Sequence, residues 1–229
     1  MNILPWQESR KEVNSSSGDA QIWSASFEAE DCSCFTPFLS EDEKYRAARQ
    51  KNMTVTHQKI ISRGILRLLL SRYTGLDPKE LIFENGPFGK PSLVDQINSE
   101  IGFNLAHSGD MLLIAIGKVK RIGIDVEKIE EKRDFKRISL MVFSDEEQLT
   151  LSRSSNPIHD FYGLWTAKEA VLKATGLGFS YPVNKFSVVI DNKIPYLSLI
   201  PEEINGGDPY SLSAFIPKDG YSAALATSP

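Results

Sequence analysis

The chain has 229 residues, a net charge of −4, 41% hydrophobic residues and 24% charged ones. That suits one large domain or two small ones, with ample material for a core, and argues against nucleic-acid binding through bulk positive potential. No apolar run approaches a membrane span, and no basic segment followed by an apolar stretch opens the chain, so neither a membrane protein nor a secreted one is expected.

Residues 1–20, with QESRKEVNSSSGDA at 7–20, read as a loose polar segment. QIWSASF (21–27) alternates weakly as a strand. Cys32 and Cys34 sit too close for a routine disulfide and lack partners for a metal, so reduced thiols in a cytoplasmic protein are expected. Ser40 followed by Glu43 makes a capping box that opens a helix, and HQKIISRGILRLLLSRY (57–73) predicts a second helix ended by Thr74-Gly75. ENGPFGKPS (84–92) reads as a turn-rich loop. FNLAHSGDMLLIAIG (103–117) predicts two strands around a turn at Ser108-Gly109-Asp110, and RIGIDVEKI (121–129) a third.

The second half then echoes the first. FSDEEQLTLSR (143–153) repeats LSEDEKYRAAR (39–49), with a capping box from Ser144 to Glu147, and a longer helix again ends in Thr-Gly-Leu at 175–177. Strands close the chain: SVVI, YLSLI, YSLSAFI and YSAALAT. The offset of about a hundred residues predicts a duplicated α+β unit whose internal cleft suits a ligand.

On a strand, Asp125 and Glu127 project from one face, and two adjacent carboxylates repel unless a cation or water screens them. Trp165, Glu169 and Lys173 are spaced i, i+4, i+8 along one side of a helix. The row is either an exposed Glu–Lys pair worth ~0.3 kcal/mol or one metal carboxylate and one phosphate-binding ammonium. Three oxygen ligands without soft donors suit a hard cation that keeps substrate phosphates in its shell. Lys90 in the Phe88-Gly89-Lys90-Pro91 loop and His107 at a strand end are further phosphate candidates. Arg46, Arg49, Lys59 and Arg63 add positive charge. Nucleophile elbows, P-loops, dinucleotide fingerprints and zinc-protease motifs are all missing from the sequence.

Together, G-I-D-V-E (123–127), F-S-x-x-E (143–147) and W-T-A-K-E-A-V-L-K-A-T-G (165–176), with upstream G-K-P (89–91) and F-N-L-A-H-S (103–108), resemble the Sfp-type 4′-phosphopantetheinyl transferases. The resemblance implies an α+β fold of two similar α/β lobes related by pseudo-two-fold symmetry, at 21–120 and 121–229, with the active site in the cleft between them. It implies Mg²⁺ (Mn²⁺ a possible substitute) on Asp125, Glu127 and Glu169, and Glu169 and Lys173 as the catalytic pair. Coenzyme A would contact Arg46, Gly89, Lys90, Ala106, His107, Asp125 and Lys173, with His107 and Arg46 at the 3′-phosphate. Ala106 departs from the family's frequent Ser. The implied reaction transfers phosphopantetheine from coenzyme A to a serine of an acyl or peptidyl carrier protein, releasing 3′,5′-ADP, with Glu169 or a water taking the serine proton. A monomer docking an acidic carrier helix is expected, on Lys118–Arg121 or on Lys132, Arg133, Lys136 and Arg137. Two other readings use the same residues: a Mg²⁺-dependent nucleotide pyrophosphate hydrolase, and a non-catalytic coenzyme A- or carrier-binding module.

Overall fold

The computed structural model describes residues 3–7, 20–94, 101–191, 194–205 and 208–229; most of the predicted polar segment at 7–20 lies outside them. Strand β1 (Ile3–Pro5), which the sequence does not announce, pairs parallel with β2 (Ala20–Ser26). Helix α1 (Glu41–Ala48) starts where expected: Ser40 accepts from the Glu43 amide and Glu43 returns a bond to the Ser40 amide. Helix α2 (Met53–Thr74) starts four residues before the predicted position, capped by Asn52 Oδ1 on the Val55 amide. Strands β3 (Phe83–Asn85) and β4 (Pro91–Leu93) form a hairpin where the sequence reads as loop. Strands β5 (Ile101–Ser108) and β6 (Met111–Lys118) follow as predicted.

Strand β7 (Arg121–Lys128) opens the second half. Helix α3 (Phe135–Val142) is unannounced in the sequence; α4 (Asp145–Ser152) carries the second capping box, between Ser144 and Glu147. Then come α5 (Pro157–Thr175), the hairpin β8 (Ser187–Asp191) and β9 (Ile194–Leu199), the short α6 (Glu202–Asn205), and β10 (Ser211–Phe215) and β11 (Tyr221–Ser228).

The two halves repeat one plan. Each sheet places its last strand in the middle: β1-β2-β6-β5 in the first half and β10-β11-β7 in the second. Helices α2 and α5 both end on a left-handed glycine, Gly75 and Gly176, each with φ of 76°. Both halves also bury an ion pair at the same place. Glu43, third residue of α1, accepts from Arg67 Nε of α2 at 2.8 Å. Glu147, third residue of α4, accepts from Lys168 Nζ of α5 at 2.7 Å. The expected pseudo-symmetric α+β architecture is therefore present down to individual contacts.

Three apolar clusters hold the molecule: one under α2, one around α5, and one between the halves that includes Ile22, Leu113, Ile124 and Tyr221. Gly123 explains how close β7 lies to α5. A Cβ there would stand 2.0 Å from Ala170 O and 2.4 Å from Ala174 N, so only glycine admits the helix. Among the described residues no helix is long and apolar enough to cross a membrane.

Candidate active site

Strands β5 and β7 are facing edges of the two sheets, yet no ladder joins them. Backbone groups along that edge of β7 are instead satisfied by side chains. Asn104 Oδ1 accepts from Ile124 N at 2.9 Å, and Ser108 Oγ accepts from Lys128 N at 3.0 Å. Both bonds link residues 20 apart in sequence, so the strands run parallel with side chains inserted between them. Lys90 Nζ donates to Ile122 O at 2.8 Å, and Lys173 Nζ to Ile124 O at 3.3 Å. The carboxylates sit along this seam.

Asp125 is 6% exposed in the middle of β7. Its Oδ1 receives Lys173 Nζ at 2.7 Å, while its Oδ2 is buried without a partner. Burial pushes its carboxyl up to about 6 against the pull of Lys173. Glu169, on the α5 face toward β7, is 7% exposed, and its Oε1 is likewise buried and unpartnered. Burial, then repulsion from Asp125, push it up to about 7. Glu127 is held at both oxygens, by Ser108 Oγ at 2.9 Å and by Trp165 Nε1 at 3.4 Å.

Two buried carboxylate oxygens left empty-handed beside one another are a deficit of positive charge. A hard cation would relieve it, so the donor set fits such an ion. Among the described residues no group of three or more His, Cys, Asp or Glu side chains is placed to hold a metal ion as the side chains stand. Lys173 occupies one Asp125 oxygen, and Ser108 and Trp165 hold Glu127. Any cation here would therefore complete its shell with ligand or water oxygens.

The other predicted residues divide into three groups. His107 and Arg46, with Lys59 and Arg63, line a groove of about 310 Å³ between α1, α2 and β5. His107 packs edge-on against Phe27, and partial burial and then Lys173 hold its imidazole below the ordinary value. Arg46 is exposed and pairs with Asp42 one turn earlier. Gly89 turns the β3–β4 hairpin at φ 84° with open space on its side-chain side. Lys90 Nζ is committed to Ile122 O and, at 3.2 Å, to Ala174 O near the end of α5. Burial lowers its ammonium to about 8. Ala106 is buried in the cluster between the halves, so its side chain faces apolar neighbours rather than the groove.

Lys168, adjacent to Glu169, points away from the carboxylates into a sealed polar knot. Both Glu147 oxygens lie 2.7 Å from its Nζ, Phe186 O lies at 2.6 Å, and the Phe186 ring packs against it. Glu147 also accepts from Ser144 N and Val188 N. Sequence reasoning passed over Asn104 and Ser108. Their only signal is the i, i+4 spacing of two small polar residues on one face of the strand.

Two family models match end to end: "4′-phosphopantetheinyl transferase, N-terminal" over residues 21–118 and "4′-phosphopantetheinyl transferase superfamily" over 121–226. The 4′-phosphopantetheinyl transferase HetI of Nostoc is 32% identical over 191 residues, covering 82% of this chain and 78% of its own. The 4′-phosphopantetheinyl transferase Sfp of Bacillus subtilis is 31% identical, covering 67% of each. Among solved structures, the holo-[acyl-carrier-protein] synthase of Neisseria meningitidis overlaps 48% of this chain and 98% of its own, at 20% identity and a TM-score of 0.43. With its seam of buried carboxylates and both of its halves matched, the chain belongs to the 4′-phosphopantetheinyl transferase superfamily.

Proposed function

We propose that the chain transfers the 4′-phosphopantetheine group of coenzyme A to a serine of an acyl or peptidyl carrier protein and releases 3′,5′-ADP. The observation that carries this reading is the pair of buried, unpartnered oxygens, Asp125 Oδ2 and Glu169 Oε1, beside the Lys173 ammonium. Asp125, Glu127 and Glu169 would hold Mg²⁺, or Mn²⁺ in its place. When bound, that ion supplies positive charge to the pyrophosphate and to its departing half.

The chain's own groups do the rest. The groove lined by Arg46, Lys59, Arg63 and His107 suits the ribose 3′-phosphate, and the open face of Gly89 suits the nucleotide beside it. Lys173 spends two of its three donors on Asp125 and Ile124 O, leaving one for a pyrophosphate oxygen. The carrier serine oxygen attacks the phosphorus bearing pantetheine. The bond from that phosphorus to the bridging oxygen breaks, and the electron pair leaves with 3′,5′-ADP. Glu169, whose Oε1 is buried without a partner, or a water beside it, accepts the serine proton.

For the carrier we favour α3 over the Lys118–Arg121 turn. Lys120 is already paired with Asp208, and Arg121 donates to Ile204 O and the Tyr210 hydroxyl. Helix α3 instead exposes Leu140 and Met141 at 75% and 72%, among Lys132, Arg133, Lys136 and Arg137. That mix of apolar anchors and positive charge complements an acidic helix. We take the lobes as 21–120 and 121–229 in a monomer, since one chain supplies both walls of the seam.

Incubation with coenzyme A, Mg²⁺ and an apo carrier protein, followed by mass spectrometry of the carrier, tests the reading. The expected product is a carrier heavier by one phosphopantetheine group, formed only with Mg²⁺. Release of 3′,5′-ADP with an unmodified carrier would identify a hydrolase instead, and binding without turnover a non-catalytic module.

A further inference from the structure

The structure assigns Ser108, a residue of the N-terminal half, a positioning role for Glu127, a carboxylate of the C-terminal half; this rests on the transferase reading above. Ser108 ends β5, and its hydroxyl is fully committed. It accepts from Lys128 N at 3.0 Å, which fixes the oxygen, and it donates to Glu127 Oε2 at 2.9 Å, which fixes the proton. Trp165 Nε1 reaches Glu127 Oε1 at 3.4 Å from α5. Glu127 is thus gripped from both halves, one contact per oxygen.

This grip distinguishes Glu127 from the other two carboxylates. Asp125 and Glu169 each keep a buried oxygen without a partner, so their orientation is completed by whatever charge arrives. Glu127 is only half-buried and would swing into solvent without a fixed donor. Ser108 removes that freedom while leaving lone pairs on both oxygens for a cation or a water. Asn104, four residues earlier on the same strand face, makes the matching bond to Ile124 N. Ser108 therefore combines the structural bond of the seam with a contact to the carboxylate cluster.

Its place in the chain adds a second consequence. Ser108 directly follows His107, which lines the basic groove. One strand end thus carries a groove residue and the orienting hydroxyl of a carboxylate.

The test uses the full chain with Ser108→Ala and Ser108→Thr. Mg²⁺ binding is measured by calorimetry with saturating 3′,5′-ADP and without it, alongside Mg²⁺ titration of transfer. Ser108→Ala is expected to weaken Mg²⁺ binding about 10-fold or more and to raise the Mg²⁺ concentration at half-maximal transfer by the same factor. Ser108→Thr, which keeps the hydroxyl, should restore both. A merely structural serine would lower Tm and leave Mg²⁺ affinity in place. Unchanged Mg²⁺ affinity in Ser108→Ala, or no recovery in Ser108→Thr, overturns the assignment. Should the alanine chain not fold, the near-isosteric pair Ser108→Thr and Ser108→Val reads the hydroxyl alone. Wild-type protein that neither transfers nor shows metal-linked nucleotide binding would sink the transferase reading instead, which keeps the two failures apart.

Discussion

Lys168 and Glu169 are consecutive in α5 and meet different walls of the protein. Lys168 Nζ is sealed between the two Glu147 oxygens and Phe186 O, while Glu169 Oε1 waits unpartnered on the side of Asp125. A helix turns about 100° per residue, so anchoring one of these side chains fixes the bearing of the other. Because Glu147 is also tied to α4 and β8, the anchor reaches three elements. Breaking it by Lys168→Met leaves a buried carboxylate without its cation, and we expect a loss of ~3–5 kcal/mol in denaturant unfolding. Asp208→Asn, which removes the surface partner of Lys120, should cost far less, because water screens that pair. Equal costs for the two would contradict the reading.

Glu169→Gln is expected to lower kcat by about 10²–10⁴-fold, because the amide cannot accept the serine proton. Without metal, the same substitution should raise Tm, since it removes one of two carboxylates that repel each other in a buried place. Opposite movements of activity and stability in one variant separate a functional carboxylate from a packing residue. A fall in Tm together with kcat would count against the role.

Lys90 supplies a pH signature away from the carboxylates. Burial, and then Arg121, depress its ammonium from the ordinary 10.5 to about 8. Between those values the unfolded chain holds a proton that the folded one has released, so this group's contribution to stability rises with pH across that window. Below pH 8 both states are protonated and the burial penalty is fully present. Relative to Lys90→Met, wild type should therefore gain Tm from about pH 8 to 10.5 and show a constant difference below. A difference that shrinks or stays flat as pH rises through the window would show that the ammonium is not held down.

Reversing charge on α3, with Lys136→Glu and Arg137→Glu together, should raise KM for the carrier about 10-fold and leave KM for coenzyme A where it was. The effect should fade as salt is added. An unchanged carrier KM would move the docking surface elsewhere.

The elements legible in the sequence were those written in local chemistry. The capping boxes at Ser40–Glu43 and Ser144–Glu147 open α1 and α4 as read, and the alternation of Gly123–Glu127 lies in β7. The three carboxylates and Lys173 were also legible, because helix and strand periodicity put them on predictable faces. Helix α3 was not, since Leu140 and Met141 point into solvent and blur the apolar stripe that marks a helix. The β3–β4 hairpin has strands of three residues each, too short to show alternation. Lys168 could not be placed, because its partner Glu147 lies 21 residues away and nothing local records the pairing. Ser108 was hidden for the same reason: its two partners belong to a different sheet.

The seam between β5 and β7 has a further implication for how the molecule keeps its shape. Two sheet edges running side by side in the same direction would ordinarily zip together into one broad sheet. Asn104 and Ser108 answer the β7 amides before β5 can, and Lys90 and Lys173 do the same for its carbonyls. These four side chains act as spacers that keep a polar gap where a continuous sheet would otherwise form. On this view the cleft is a strand pairing that the sequence has arranged never to complete.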